Sequence, residues 1–321
     1  MCSVEQVMYK ALIIGCGNIG ALYDFDTAAI ATYAKAFHID PEIEFDVYDA
    51  DPGSSLKVAE RYGVRRLTGL NAANCQDYDV VVVSTSTPAH YQYLSRLLER
   101  GPQLVICEKP VDIDRARLDQ LLRLHAKSET KVLVNFFRRF QPGMIRLKQK
   151  IVSVLGEDQC TNIIVTYQRG FHNNASHAID LLEYLWGSTI DLAGARLNHH
   201  VSDEFDADPT LSMSCIWNGI NVQFIGLTGV QFSHLEISIY FTRKAVLLKD
   251  GGNEIEILLT PSPCGNYYPK LSLQSREVGV LDDYMVNVVD HAKRILRKEE
   301  PCDNFPESVS ISKRILELQG H

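Results

Sequence analysis

The stretch RGFHNNASHAIDLLEYLWG, residues 169–187, places two adjacent asparagines and two histidines ahead of a helical pattern. At 100° per residue, Ala178, Ile179, Leu182, Leu185 and Trp186 share one apolar stripe, and His177, Asp180 and Tyr184 lie together on its flank. Asn173, Asn174 and Ser176 are capping residue types for a first turn, and Gly187 is a C-terminal stop. Capping accounts for the asparagines and the serine but leaves His177 over. An imidazole titrates near neutrality and suits proton transfer; a satisfied structural histidine is the alternative reading.

A second constellation, IIGCGNIG, sets Gly15, Gly17 and Gly20 in G-x-G-x-x-G spacing, with Asn18 and Ile19 in the turn. Gly15 permits the tight turn, Gly17 lets the backbone approach a pyrophosphate, and Gly20 allows close packing. The next strand-like run ends at Asp49, whose carboxylate can accept both ribose hydroxyls and would repel a 2′-phosphate. Because Ala50 and Asp51 follow, rather than Arg or Ser, NAD is expected in preference to NADP. The interval from Gly20 to Asp49 is longer than usual, which implies extra residues around DFDTAAIATY. Thr85, Ser86 and His90 in STSTPAH, and Glu108 and Lys109 in CEKP, fall at later strand ends and would face the same crevice. By spacing alone, the Glu-Lys pair reads equally well as a solvated strand end.

These residues need a scaffold. The runs YKALIIG, EIEFDVYD, DYDVVVVS, QLVICE and KVLVNFF alternate with helix-like segments, the pattern of a parallel sheet covered on both faces. After residue 137 the pattern changes. Helices near GMIRLKQKIVSVLG and at 176–186 flank TNIIVTYQR, and a series of extended segments follows: IDLAGARLNHH, TLSMSCIW, INVQFIGLTG, LEISIYFT, KAVLLKD and EIEILLT. Short polar turns such as Asn218-Gly219 imply a mainly antiparallel sheet. Helical sequence at 282–297 and SVSISKRILELQ completes the chain. The expected fold is α/β: a doubly wound dinucleotide-type domain, residues 1–137, then an α+β domain, residues 138–321, for substrate binding and oligomerisation.

Composition narrows the function classes. The 321 residues carry a net charge of −8, with no long basic block, which excludes an electrostatic footprint for nucleic acid. No apolar run reaches membrane-spanning length and the start MCSVEQVMYK lacks a leader pattern, so a cytoplasmic protein is expected. The eight cysteines are dispersed without C-x-x-C or zinc-ligand spacing and read as reduced thiols. His199 and His200 would point to opposite faces of a strand, and His172 and His177 have no third partner, so no metal site is expected. Arg138 and Arg139 in FFRRFQP read either as a solvated turn or as a hold on a domain junction or anionic substrate.

Taken in order, GCGNIG, STSTPAHYQYLSRLLERG, VICEKPVDI, VLVNFFRRFQP and NNASHAIDLLEYLWG resemble the Gfo/Idh/MocA family of oxidoreductases over nearly the whole chain. The resemblance implies that Lys109 is the active-site lysine, His177 the acid/base and Asp180 the final acid of the family pattern. It also implies that Glu108, Thr85 and His90 lie near the nicotinamide half of the cofactor. The sequence departs from that pattern at Asn173, where an aspartate is usual, at Ala175 in place of glycine, and at Tyr33, where many relatives have histidine. Asn173 is therefore expected to position substrate rather than to tune charge. Asn174, Asp180, Tyr167 and Arg169 are the expected substrate neighbours.

Removing a hydride from a secondary alcohol requires that the hydroxyl proton leave too, so a base must reach that oxygen. His177 suits that role, and a lysine ammonium beside the same oxygen stabilises developing alkoxide character. The expectation is an NAD-dependent oxidoreductase acting on a sugar, polyol or nucleotide-linked sugar, a carbohydrate-like small molecule, in a homodimer or homotetramer. A non-catalytic NAD- and sugar-sensing regulator and an NAD-dependent glycosidase are the alternatives.

Overall fold

A computed structural model describes residues 8–70, 75–153, 158–201, 208–260, 269–300 and 303–320. The chain divides into two compact units, residues 1–137 with 283–313, and residues 138–282 with 314–321.

The first unit is built on a six-stranded parallel sheet. Its strands are β1 (Tyr9–Ile14), β2 (Ile43–Tyr48), β3 (Arg65–Arg66), β4 (Val80–Val83), β5 (Leu104–Cys107) and β6 (Lys131–Val134), in spatial order β3-β2-β1-β4-β5-β6. All five pairings are parallel. Four consecutive valines in β4 and Leu-Val-Ile-Cys in β5 are wholly buried, as strands covered on both faces must be. The intervening helices are α1 (Tyr33–Ile39), α2 (Pro52–Tyr62), α3 (Thr87–Glu99) and α4 (Arg115–His125). Asp51 caps α2 through the N–H groups of Gly53 and Ser54, and Asp114 caps α4 through Arg117. The strand order reverses between β1 and β4, and a crevice opens at such a switch point.

Helix α7 (Tyr284–Leu296) belongs to this first unit, so the second unit is not the continuous stretch 138–321 of the sequence reading. Local chemistry explains the return of the chain. Lys293 Nζ lies 2.5 Å from Asp40 Oδ2 and 3.0 Å from Glu42 Oε2, with Arg297 also on Glu42 at 2.6 Å. Further on, Asn304 pairs both backbone groups of Val134 and so covers the outer edge of β6.

The second unit carries an eight-stranded sheet: β7 (Cys160–Tyr167), β8 (Arg196–Val201), β9 (Thr210–Trp217), β10 (Ile220–Gly226), β11 (Leu235–Phe241), β12 (Lys244–Lys249), β13 (Glu254–Leu259) and β14 (Ser272–Val278). Its order is β14-β13-β12-β11-β7-β10-β9-β8, antiparallel except for β7 with β10. The β9–β10 turn is Asn218-Gly219, with φ of 50° and 80°, as a two-residue hairpin of primed type requires. One sheet face is core: Ile163, Val165, Met213, Val222, Phe224, Ile237 and Ile239 are buried. Helix α5 (Pro142–Ser153) and helix α6 (Ser176–Trp186) belong to this unit, and Trp186 of α6 meets Trp217 of β9 with ring centroids 5.6 Å apart. On the other face Ile216 and Ile225 are exposed.

Two local expectations differ from the structure. In IDLAGARLNHH only Arg196 onward is strand, entering through a bulge between Leu197 and His199. Strand β14, absent from the sequence reading, is an almost wholly exposed edge and lacks the apolar alternation by which strands are recognised. The last helix, α8 (Phe305–Gln319), runs to the end of the described chain. Among the described residues no helix is long and apolar enough to cross a membrane.

Candidate active site

In the first unit, the glycine turn sits where its spacing implied. Gly15 has φ of 101°, and a Cβ there would lie 2.7 Å from the backbone of Ser84 and Thr85. A Cβ on Gly20 would fall 2.1 Å from the Gly15 carbonyl oxygen, whereas one on Gly17 would meet nothing within 4 Å. Two glycines are thus demanded by the protein, and the third borders open space. The turn Asn18–Leu22 is a single wide turn of π type rather than the start of a long helix, and residues 23–32 follow before α1. Those are the extra residues implied by the long interval to Asp49. Asp24, fully buried, organises them by accepting from the N–H groups of Ala31 and Thr32 and from the Thr32 hydroxyl.

A cleft of about 240 Å³ opens beside this turn, lined by Gly15, Gly17, Asp49, Thr85, Ser86 and Tyr93, among others. Asp49 Oδ2 accepts from Cys16 N at 2.6 Å and Oδ1 from Asp51 N at 2.8 Å. Each oxygen keeps a further lone pair for a ribose hydroxyl. Tyr48 and Tyr93 add aromatic surface to the walls. The residues present therefore fit a dinucleotide: a glycine without a neighbour where a phosphate must approach, an acid at the ribose end, and flat walls. Larger grooves, about 710 and 1020 Å³, lie at the opposite, amino-terminal ends of the strands and have no such glycine turn.

Glu108 and Lys109 follow β5, and the Lys109–Pro110 peptide is cis. Glu108 Oε1 accepts from Tyr33 Oη and from Asn135 Nδ2, both at 2.7 Å. Burial raises the Glu108 pKa, against the opposing pull of these two bonds and of the Lys109 charge. Tyr33 is also held well above its ordinary value, by burial first and the neighbouring Glu108 second, and so stays a donor. His90 is buried, its ring nitrogens 2.9 Å from the Pro110 carbonyl and 3.0 Å from the Thr85 carbonyl. It ties the loops after β4 and β5 together, a positioning place behind the cleft lining. Ser84, passed over in the sequence, bonds the Gly15 carbonyl at 2.8 Å and locks the glycine turn.

In the second unit, β7 ends in an unusual loop. Arg169 has φ of 70°, which is strained for a side-chain-bearing residue, and Gly170 follows at 84°. A wide turn, Phe171–Ala175, then leads into α6. The asparagines bond this loop: Asn173 Nδ2 donates to the Arg169 carbonyl at 3.0 Å, and Asn174 Nδ2 to those of Gln168 at 2.7 Å and His234 at 3.2 Å. Their amide N–H groups thus bond carbonyls of the loop and of His234, and Ala175, at the N-cap of the helix, offers no side-chain cap. His177 stands in the first turn of α6 and is 8% exposed.

Two expected substrate neighbours have their polar atoms engaged within the second unit. Tyr167 is fully buried, its hydroxyl donating to the Leu211 carbonyl and accepting from the Leu211 N–H, so it belongs to the sheet core. Asp180 is 1% exposed and accepts from Arg139 through both oxygens, at 2.5 and 3.1 Å. Burial pushes its carboxyl up to about 6 despite the arginine. A buried acid with a fixed cation holds its helix in place. Arg138 is likewise buried, donating to the Gly251 carbonyl at 2.6 Å, so the RR pair is no solvated turn. Lys109 is in the first unit and His177 in the second.

A doubly wound sheet of order 3-2-1-4-5-6 with a glycine turn at its switch point defines a dinucleotide-binding protein. Residues 9–136 match the family model described as an oxidoreductase family with an NAD-binding Rossmann fold, GFO_IDH_MocA. That match covers the amino-terminal part of the chain and makes it similar there to the Gfo/Idh/MocA oxidoreductases. It is 26% identical over 215 residues to an inositol 2-dehydrogenase of Rhizobium meliloti, a match covering 61% of this chain and 62% of the relative. It thus spans less than two thirds of that relative's length. Two solved structures share the whole fold. An Agrobacterium radiobacter oxidoreductase in complex with NAD+, L-tartaric acid and magnesium has TM-score 0.73 at 15% identity, over 98% of this chain and 97% of the other. A super-repressor mutant of Gal80p from Saccharomyces cerevisiae has TM-score 0.75 at 13% identity, over 98% and 96%.

Proposed function

We propose that the protein is an NAD-dependent oxidoreductase that moves a hydride between nicotinamide and a hydroxyl-bearing carbon of a polyol, sugar or nucleotide-linked sugar. The observation carrying this reading is the cleft at the β1/β4 switch point, where Gly17 faces open space and Asp49 offers its carboxylate at the ribose end. That acid favours NAD over NADP, because a 2′-phosphate would meet its charge. Bound there, the nicotinamide supplies the hydride acceptor or donor. The chain's own residues do the rest: Lys109 presents a positive charge to the reacting oxygen, His177 takes or returns its proton, and Asn173 orients substrate. The rhizobial relative, an inositol 2-dehydrogenase, supports a polyol-like substrate. The sheet face bearing exposed Ile216 and Ile225 is the surface on which a homodimer or homotetramer would form.

The test follows absorbance at 340 nm with NAD or NADP across polyols, free sugars and nucleotide sugars. Turnover with NAD is expected for one substrate class. Lys109→Ala and His177→Ala should each lower kcat by at least about 100-fold while NADH binding persists, the range for an acid/base group. Unchanged rates in both variants would remove these roles. Cofactor bound without turnover on any compound would move the reading to a sensing protein, and net hydrolysis of a nitrophenyl glycoside to a glycosidase.

A further inference from the structure

Four successive N–H groups of the loop that leads into His177 bond to one three-residue segment. Gly170 N donates to Thr210 Oγ1 at 2.9 Å and Phe171 N to the Pro209 carbonyl at 3.0 Å. His172 N then donates to Asp208 Oδ1 at 2.7 Å, and Asn173 N to Asp208 Oδ2 at 2.6 Å. A carboxylate on two consecutive amides makes the strongest pair in the series, because its full charge meets both donors at short range. The fit excludes any side chain at 170, where a Cβ would stand 2.2 Å from Asp208 Oδ2. Gln319 Nε2 of α8 donates to Asp208 Oδ1 at 3.3 Å and fixes the acid from behind. The loop being held is strained at Arg169, and strain of this kind persists only where its surroundings over-determine the backbone.

We propose that Asp208 is the positioning residue of the proton-transfer site: its charge holds the 170–173 backbone in the one conformation that aims Asn173 and His177 at substrate. This rests on the dehydrogenase reading for its consequence, but the positioning itself is readable without turnover. Asn173 and Asn174 are neutral, with their amides committed to carbonyls of the same loop and of His234, so the carboxylate at this turn comes from the approach to β9. Asp208 acts through those residues and is not itself a catalytic residue.

The experiment compares Asp208→Asn and Asp208→Glu with wild type. Asparagine keeps the volume and one acceptor but turns an amide donor toward a backbone N–H. In Asp208→Asn, kcat is expected to fall ten- to a hundred-fold, with NADH affinity and KM for NAD unchanged and the solvent deuterium isotope effect on kcat increased. Asp208→Glu, which restores the charge, should recover at least part of kcat and return the isotope effect toward wild type. In spectra of histidine-labelled protein, the His172 and His177 ring resonances should shift in Asp208→Asn and return toward their wild-type positions in Asp208→Glu. Wild-type kcat in Asp208→Asn, no recovery in Asp208→Glu, or unshifted histidine resonances would each overturn the proposal. If wild type turns over no substrate, the dehydrogenase reading fails and the histidine spectra still decide the role of Asp208.

Discussion

Arg139→Met isolates the energetics of the buried acid beneath the proposed catalytic helix. Asp180 is 1% exposed and Arg139 10% exposed on their side chains, and the arginine addresses both carboxylate oxygens. Removing the cation leaves an uncompensated buried charge, at a cost of about 3–5 kcal/mol. The second unit is of the size class in which 1 kcal/mol moves the midpoint by roughly 2–4 °C, so a loss of about 6–20 °C is expected at pH 8. The pH dependence has a definite sign. Burial pushes the Asp180 carboxyl up to about 6, from the ordinary aspartate value of 3.8. Its stability contribution is fully present below the lower value and lost as pH rises through the upper one. Without Arg139, the lowering influence of the guanidinium disappears and the folded pKa climbs further. Between that new value and about 6 the variant regains about 1.4 kcal/mol per pH unit relative to wild type, and at lower pH the two run parallel. Thermal scans at pH 8, 7, 6 and 5 should therefore show a deficit that shrinks with acid, and Arg139→Met/Asp180→Leu should be more stable than Arg139→Met at pH 8. A deficit below 1 kcal/mol at pH 8, or one independent of pH, would refute the account of Asp180 as a buried charge held by Arg139.

Three further outcomes follow from geometry in the first unit. Gly17→Ala should leave the melting temperature unchanged and weaken NADH binding about ten-fold or more, because its Cβ meets only the space proposed for the cofactor; Gly20→Ala should lose both, its Cβ colliding with the Gly15 carbonyl. Titration calorimetry beside thermal scans separates the two, and equal effects would contradict the assignment. Tyr33→Phe removes one of two donors from Glu108 Oε1 and should destabilise by about 1–3 kcal/mol, measured by urea unfolding. Burial and Asp49 push the Cys16 thiol up to about 12, and burial lifts Cys107 well above its ordinary range, so iodoacetamide at pH 8 should label neither in native protein while labelling both after unfolding, as read by peptide mass mapping.

The sequence was legible where one residue type answers one physical demand. A chain turning from β1 at φ of 101° needs Gly15, and contact with the Gly15 carbonyl needs Gly20, so the spacing alone located the turn. Valine runs without alternation marked strands buried on both faces. What stayed hidden depends on partners distant in the chain. Asp180 presents the same residue type whether it meets a ligand or Arg139, 41 positions away, and only the fold shows both oxygens taken. Tyr167 alternates correctly along β7, yet its hydroxyl completes a pairing with Leu211 rather than facing a ligand. The asparagines looked like caps because capping is a local rule, whereas their amides run backward to Gln168 and Arg169 and across to His234. Asp208 has no motif at all, since an acid ahead of a strand is common and its meaning lies in the two N–H groups it meets. The same asymmetry governs the proposed chemistry. Reactive groups advertise themselves by type, as Lys109 and His177 do, but a proton moves only as fast as the surrounding backbone holds its donor and acceptor in line. A loop strained at Arg169 and pinned by one carboxylate is therefore where substitutions remote from any reacting atom should alter the rate.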